Sequence, residues 1–276
     1  MPIPILVIHR RNRIEELAGL PRGSWVEIDV EIHEGAAYLM HDPLRDHPSK
    51  TKPVPDKMES YVPAALKAGV AGFVVDCKRE NAEKFVKPIL ALNKVTNFFF
   101  LNEMEVQADI FQEQNGTHQS GIRVWKYRNA DDVIRITEDT KKARQSAPQW
   151  VWVDCWQRGL LQDINKAFRP MTGEQAKKLQ ALAVKLCVCS PELYAHKYGA
   201  DYSASELTVF YQGVIRYREE LAREGIHGDA ICTKFPWLWT LDLGLLQKAE
   251  KKIGVLDFRA YTEVKETEVR TLLAKG

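Results

Sequence analysis

The stretch WVEIDVEIHEGAAYLMHDP, residues 25–43, alternates with a period of two. Val26, Ile28, Val30 and Ile32 fall on one face, and Trp25, Glu27, Asp29, Glu31 and His33 fall on the other. A strand built this way lays its aliphatic face against a packed layer and turns its acids towards something that stabilises charge. Residues 36–40 (AAYLM) read as a hairpin partner, and His41-Asp42 follows at once.

Similar apolar runs recur at 3–8, 72–77, 97–101, 121–125, 150–155, 184–189 and 228–232. Helical patterns separate them at 13–20, 58–69, 79–93, 104–115, 129–145, 173–183, 203–225 and 240–252. Regular strand–helix alternation predicts parallel βα units. Eight such units in 276 residues predict an α/β chain folded as one (β/α)8 TIM barrel over 1–276, with a doubly wound open sheet as the runner-up. The segment 42–57 (DPLRDHPSKTKPVPDK) reads as an exposed loop over one face, and 156–172 as another long connection.

Composition narrows the function. The net charge is +2 with acids and bases interspersed, which argues against nucleic acid as a partner. The opening MPIPILVIH reads as a first strand and not as a signal peptide. No run reaches the ~18 apolar residues of a membrane helix, so the expected location is the cytoplasm. Cys77, Cys155, Cys187, Cys189 and Cys232 are odd in number and sit in apolar runs, which predicts buried free thiols.

In a parallel barrel, chemistry gathers at the C-terminal ends of the strands. Those ends carry His9-Arg10, then Glu27 and Asp29, then His41-Asp42, then Asp76-Cys77-Lys78. Further round lie Asn102 and Glu103, Arg123 and Lys126, Asp154, Ser190-Pro191-Glu192 and Thr233-Lys234. Glu27 and Asp29 point the same way, and in a low-dielectric mouth they would repel until one stayed protonated. A hard divalent cation removes that penalty. Asp76 supplies a third oxygen ligand, and the set suits Mg²⁺ or Ca²⁺. His9 and His41 flank the acids and suit in-line attack at phosphorus, one acting on the attacking hydroxyl and one on the leaving oxygen. Arg10 and Lys78 are placed to hold phosphate oxygens.

Arg123 and Lys234 are further phosphate-binding candidates. Like Lys126, Asp154 and Glu192, they are equally explained as salt bridges filling the barrel. Glu31 and His33 share the acid face but are expected further out, towards solvent. Trp125, Trp152 and Trp237 are expected either in the core or as walls of the pocket.

The ordered set His9-Arg10, Glu27-Ile28-Asp29, His41-Asp42 and Asp76-Cys77-Lys78 resembles the glycerophosphodiester phosphodiesterase superfamily. That group includes phosphatidylinositol-specific phospholipase C-like barrels and sphingomyelinase D-type phospholipases. The stretches WVWVDCW (150–156), SPEL (190–193) and DAICTKFPWLW (229–239) are similar to a bacterial branch encoded with surface-polysaccharide genes. The resemblance implies a TIM barrel, a divalent metal held by Glu27, Asp29 and Asp76, and His9 and His41 as the acid/base pair. It implies a small phosphodiester substrate, glycan- or lipid-derived, attacked in many members by its own neighbouring hydroxyl to give a cyclic phosphate. Three features depart from the family pattern. Arg11 stands where a glycine is usual, Asp76 where glutamate is usual, and the insertion after the second histidine shrinks to the 42–57 loop. Three functions therefore stay open: a metal-dependent phosphodiesterase, a lyase that stops at the cyclic phosphate, and a barrel that binds a phosphorylated ligand without turnover.

Overall fold

The structure, a computed structural model, describes residues 4–41, 54–79, 81–102, 120–124, 129–143, 147–154, 171–194, 204–249 and 264–274. Among them nine strands form one sheet. They are β1 (Ile5–Ile8), β2 (Trp25–His33), β3 (Ala36–Leu39), β4 (Gly72–Cys77), β5 (Phe98–Asn102), β6 (Gly121–Val124), β7 (Trp150–Val153), β8 (Lys185–Cys189) and β9 (Ala230–Thr233). Eight of them run parallel in the order β5-β4-β2-β1-β9-β8-β7-β6, and a parallel bridge from Phe100 to Ser120 joins the two ends. The chain is a (β/α)8 TIM barrel. The remaining strand, β3, folds back antiparallel on β2 with Val30 opposite Leu39, as the hairpin reading expects.

Helices α1 (Met58–Ala68), α2 (Glu83–Leu92), α3 (Ala130–Lys142), α4 (Gly173–Ala181) and α5 (Ala204–Glu224) lie within expected ranges, and α6 (Trp237–Thr240), α7 (Leu243–Ala249) and α8 (Val264–Ala274) follow β9. Two expectations change. The helix expected over 13–20 is a single 3₁₀ turn, Ile14–Leu17, because Glu16 accepts from the Arg13 amide and Asp56 from the Ile14 amide, fixing a short turn. The helix expected over 240–252 is split in its described part, since Leu241 is extended (ψ 148°) between α6 and α7. The helix expected over 104–115 lies outside the described residues.

The two faces of the sheet do different work. Ile8, Val26, Ile28, Val30, Phe73 and Val75 pack outwards against α1 and α2, the role foreseen for the aliphatic face of residues 25–33. Inside the barrel, rings from strands that are not neighbours meet. Phe99 stacks on Trp150 with centroids 4.7 Å apart, and Trp25 lies 5.8 Å from Trp150. These rings close the floor, and two glycines make room for them. A Cβ at Gly72 would come within 2.4 Å of the Trp25 ring and 2.6 Å of the Asn97 carbonyl, and one at Gly121 within 2.9 Å of Phe99. Gly72→Ala should therefore overpack the floor and lower stability by about 1–3 kcal/mol, read as a reduced urea midpoint at unchanged slope.

Candidate active site

The registers of β2 and β4 assemble the acids. Asp29 sits opposite Asp76, and Glu27 lies two residues below Asp29 on the same face. The three carboxylates are buried, and one oxygen from each lies within 4.8 Å of the others. Glu27 is the least compensated. Burial, then the charges of Asp29 and Asp76, push its carboxyl up to about 8.

Cations and amides answer this charge. Lys78 Nζ donates to Asp76 Oδ2 at 2.7 Å and lies 3.0 Å from Asp29 Oδ1. Arg123 Nη2 donates to the same Asp76 oxygen at 2.8 Å, and its guanidinium sits 5.9 Å over the Trp152 ring. Burial alone would raise Asp76, but Arg123 and then Lys78 hold it below the usual carboxylate range. Arg10 Nε lies 3.7 Å from Asp29 Oδ2, and its backbone amide donates to Glu27 Oε2 at 2.7 Å. That amide is offered by a residue in the left-handed region (φ 50°), a conformation that costs a non-glycine residue roughly 1–3 kcal/mol. Asn12, which sequence reasoning missed, grips Asp29 twice. Its amide nitrogen donates to Oδ2 at 2.8 Å, and its oxygen accepts from the Asp29 backbone amide at 2.9 Å. The available signal was its place in the first strand-end loop, beside the acid-bearing strand.

His9 is buried at the mouth with Nε2 3.8 Å from Glu27 Oε2, and its Nδ1 is buried without a hydrogen bond. Burial, then Arg10, Lys234, Lys78 and Arg11, hold the imidazole well below its ordinary 6.5, so it is neutral at pH 7. Lys234 reaches His9 through the β1–β9 register, which pairs Ile8 with Thr233. Burial lowers its ammonium first, against the opposing charge of Glu192. His41 is half-buried. It follows Met40, whose amide donates to the Asp29 carbonyl at 3.0 Å, so β3 returns the chain to the height of the acids. Arg11 lies below its ordinary range through burial, and its carbonyl accepts from the Tyr61 hydroxyl on α1.

The other strand-end candidates divide. Glu192 ties β8 to β9. Its carboxylate accepts from Thr233 Oγ1 at 2.5 Å, from the Lys234 amide at 2.9 Å and from the Ser190 hydroxyl, which in turn accepts from Trp239 Nε1 at 2.8 Å. Asp154 accepts from Trp152 Nε1 at 2.7 Å. Glu31, expected near solvent, is buried because Arg79 pairs with it at 2.8 Å, while His33 is exposed as expected. Trp237 belongs to the core, packed beside Tyr211 outside the barrel. The four described cysteines are free and buried. Asp42, Glu103, Trp125, Lys126 and Cys155 lie outside the described residues. No helix among the described residues is long and apolar enough to cross a membrane.

No protein-family model and no curated protein matches the chain. Solved structures do. A glycerophosphodiester phosphodiesterase from Agrobacterium tumefaciens str. C58 aligns at TM-score 0.52 and 12% identity over 86% of this chain and 97% of that one. One from Parabacteroides distasonis ATCC 8503 aligns at 0.51 and 13% over 91% and 98%. A glycerophosphoryl diester phosphodiesterase from the same organism aligns at 0.52 and 13% over 86% and 85%. At such identities, what is shared is the fold.

The acid cluster fits a hard divalent cation. Its donors are all carboxylate oxygens, and Asp29 Oδ1 and Asp76 Oδ1 are buried without a hydrogen bond. Glu27 binds its proton more tightly in the folded state, so it favours folding at low pH and that advantage is lost as the pH rises towards 8. His9 acts in the opposite sense, but only below about 6.5. In EDTA, the melting temperature should therefore fall between pH 6.5 and 8. Mg²⁺ or Ca²⁺, or Glu27→Gln, should flatten that fall, and a slope that ignores both would sink the assignment.

Proposed function

We propose that the chain is a metal-dependent phosphodiesterase of the glycerophosphodiester phosphodiesterase superfamily, acting on a small glycerol- or sugar-linked phosphodiester. One observation carries the reading: the buried Glu27, Asp29 and Asp76 cluster with neutral His9 3.8 Å from Glu27, at the strand ends of a barrel of the same fold. The ordered His-Arg, Glu-x-Asp, His-Asp and Asp-x-Lys set supports it independently. Held by Glu27, Asp29 and Asp76, Mg²⁺ or Ca²⁺ would supply Lewis-acid polarisation of the phosphoryl group.

The chain's own residues do the remainder. Arg10, Lys78 and Lys234 converge on His9 and offer positive charge to the phosphate oxygens, while Arg123 bears on them through Asp76. His9, neutral at pH 7, accepts the proton of the attacking hydroxyl. The bond from phosphorus to the leaving oxygen breaks as the new P–O bond forms, and His41 gives that oxygen its proton. When the attacking hydroxyl belongs to the substrate, the product is a cyclic phosphate, and the same pair either hydrolyses it or releases it.

A cytoplasmic setting and a small water-borne substrate belong to this proposal. A non-catalytic phospho-ligand barrel is the competing reading, favoured by the cations already seated on Asp76. Hydrolysis of bis(p-nitrophenyl) phosphate and of glycerophosphocholine separates them. Activity with Mg²⁺ or Ca²⁺ should vanish in EDTA, and should fall by at least about 10²-fold in His9→Ala and His41→Ala at unchanged melting temperature. Full-rate cleavage in EDTA would remove the metal. Phosphate-ester binding without cleavage in any ion would favour the binding barrel.

A further inference from the structure

We infer that Arg123 determines how tightly the acid cluster holds its divalent cation, acting through Asp76; the inference rests on the metal-dependent reading above. The two oxygens of Asp76 are not equivalent. Oδ2 accepts from both Lys78 Nζ (2.7 Å) and Arg123 Nη2 (2.8 Å), while Oδ1 is buried without a hydrogen bond. Asp29 Oδ1, the other buried oxygen without a hydrogen bond, faces Lys78 Nζ at 3.0 Å. An incoming ion therefore meets a carboxylate with one oxygen already engaged and a fixed positive charge on its far side.

Lys78 and Arg123 differ in how readily they give way. The ammonium of Lys78 is a point charge on a flexible stem, bridging Asp29 and Asp76, and a doubly charged ion can displace it towards the mouth. Arg123 is held on both sides. Its guanidinium lies over Trp152, and Trp152 is fixed in turn by the bond from its Nε1 to Asp154 Oδ1. Its charge cannot be relieved by loss of a proton, because guanidinium does not deprotonate in proteins. Arg123 thus remains in the presence of an ion, offsets part of the carboxylate charge and keeps Oδ2 of Asp76 engaged. The result is a site that holds its ion less tightly than the same carboxylates would without Arg123. At an effective dielectric near 20, the repulsion between a unit and a double charge a few ångströms apart exceeds the equivalent of a tenfold change in affinity.

The test is calorimetric titration of MgCl₂ and CaCl₂ into wild type, Arg123→Met, Arg123→Gln and Arg123→Lys, with Glu27→Gln as the site control and melting temperatures for every variant. Arg123→Met should bind the ions at least about tenfold more tightly than wild type. Arg123→Lys should stay near wild type. Arg123→Gln, which deletes the charge but stays polar, should follow Arg123→Met and serves in its place should that variant not fold. Equal or weaker ion binding in Arg123→Met and Arg123→Gln overturns the inference while leaving the metal reading standing. Unchanged ion affinity together with lost binding of inorganic phosphate overturns it in favour of a direct phosphate contact. If neither wild type nor any Arg123 variant binds either ion, both the metal reading and the inference fall.

Discussion

Three carboxylates buried within a few ångströms of one another are the constraint on which the mouth of this barrel depends. Removing such charges from water is expensive, and a buried charge left without its partner typically costs 3–5 kcal/mol. The surroundings are arranged to meet that cost. Lys78 and Arg123 share Asp76, Asn12 and Arg10 attend Asp29, and a backbone amide in a strained conformation serves Glu27. The requirement reaches outward from there. The loop that brings Arg10 and Asn12 over β2 is held by Tyr61 and Asp56, so α1 and the segment before it are positioned partly by the needs of two acids on the neighbouring strand.

A closed floor lies beneath these acids. Trp25, Phe99 and Trp150 fill the end of the barrel away from the mouth, and Gly72 and Gly121 are small so that they can. Glu27 lies one inward position above Trp25 on the same strand; all three acids are buried, and it is Arg123 and Lys78 that draw Asp76 down while burial and its two acid neighbours push Glu27 up. A single strand thus carries an aromatic plug, a carboxyl displaced towards neutrality and an acid gripped by Asn12 in consecutive inward positions.

That progression was legible in the sequence because a period of two leaves no freedom in which residues share a face. Alternation over residues 25–33 gave the inward acids and outward aliphatics, and the recurrence of apolar runs gave the barrel. What could not be read was pairing between elements. Glu31 and Asp29 look alike in the pattern, yet Arg79 makes one a buried ion-pair member at the hairpin while the other joins the cluster. Asn12 carries no motif, and its role exists only because the chain crosses β2 after β1. The 3₁₀ turn at 14–17 had a helical pattern, but Asp56, more than forty residues away, captured its first amide. Glu192 was placed at a strand end correctly, while its bonds to Ser190, Thr233 and Lys234 depend on how two strands align.

The aspartate at position 76 and the arginine at 123 form one arrangement. Aspartate keeps its carboxylate close to its own strand, opposite Asp29 in the register, where Lys78 is shared between the two acids. β6 does not pair with β4, so Arg123 can reach Asp76 only across the interior, with Trp152 of the adjacent strand supporting it on the way. A long, permanently charged side chain on one wall thereby compensates a short acid on another. The acids of β2 are met mainly by the loop after β1, with Lys78 beside Asp29. The acid of β4 is balanced both by Lys78 beside it and by Arg123 from across the barrel, so Asp76 is the member of the cluster tied to the far wall.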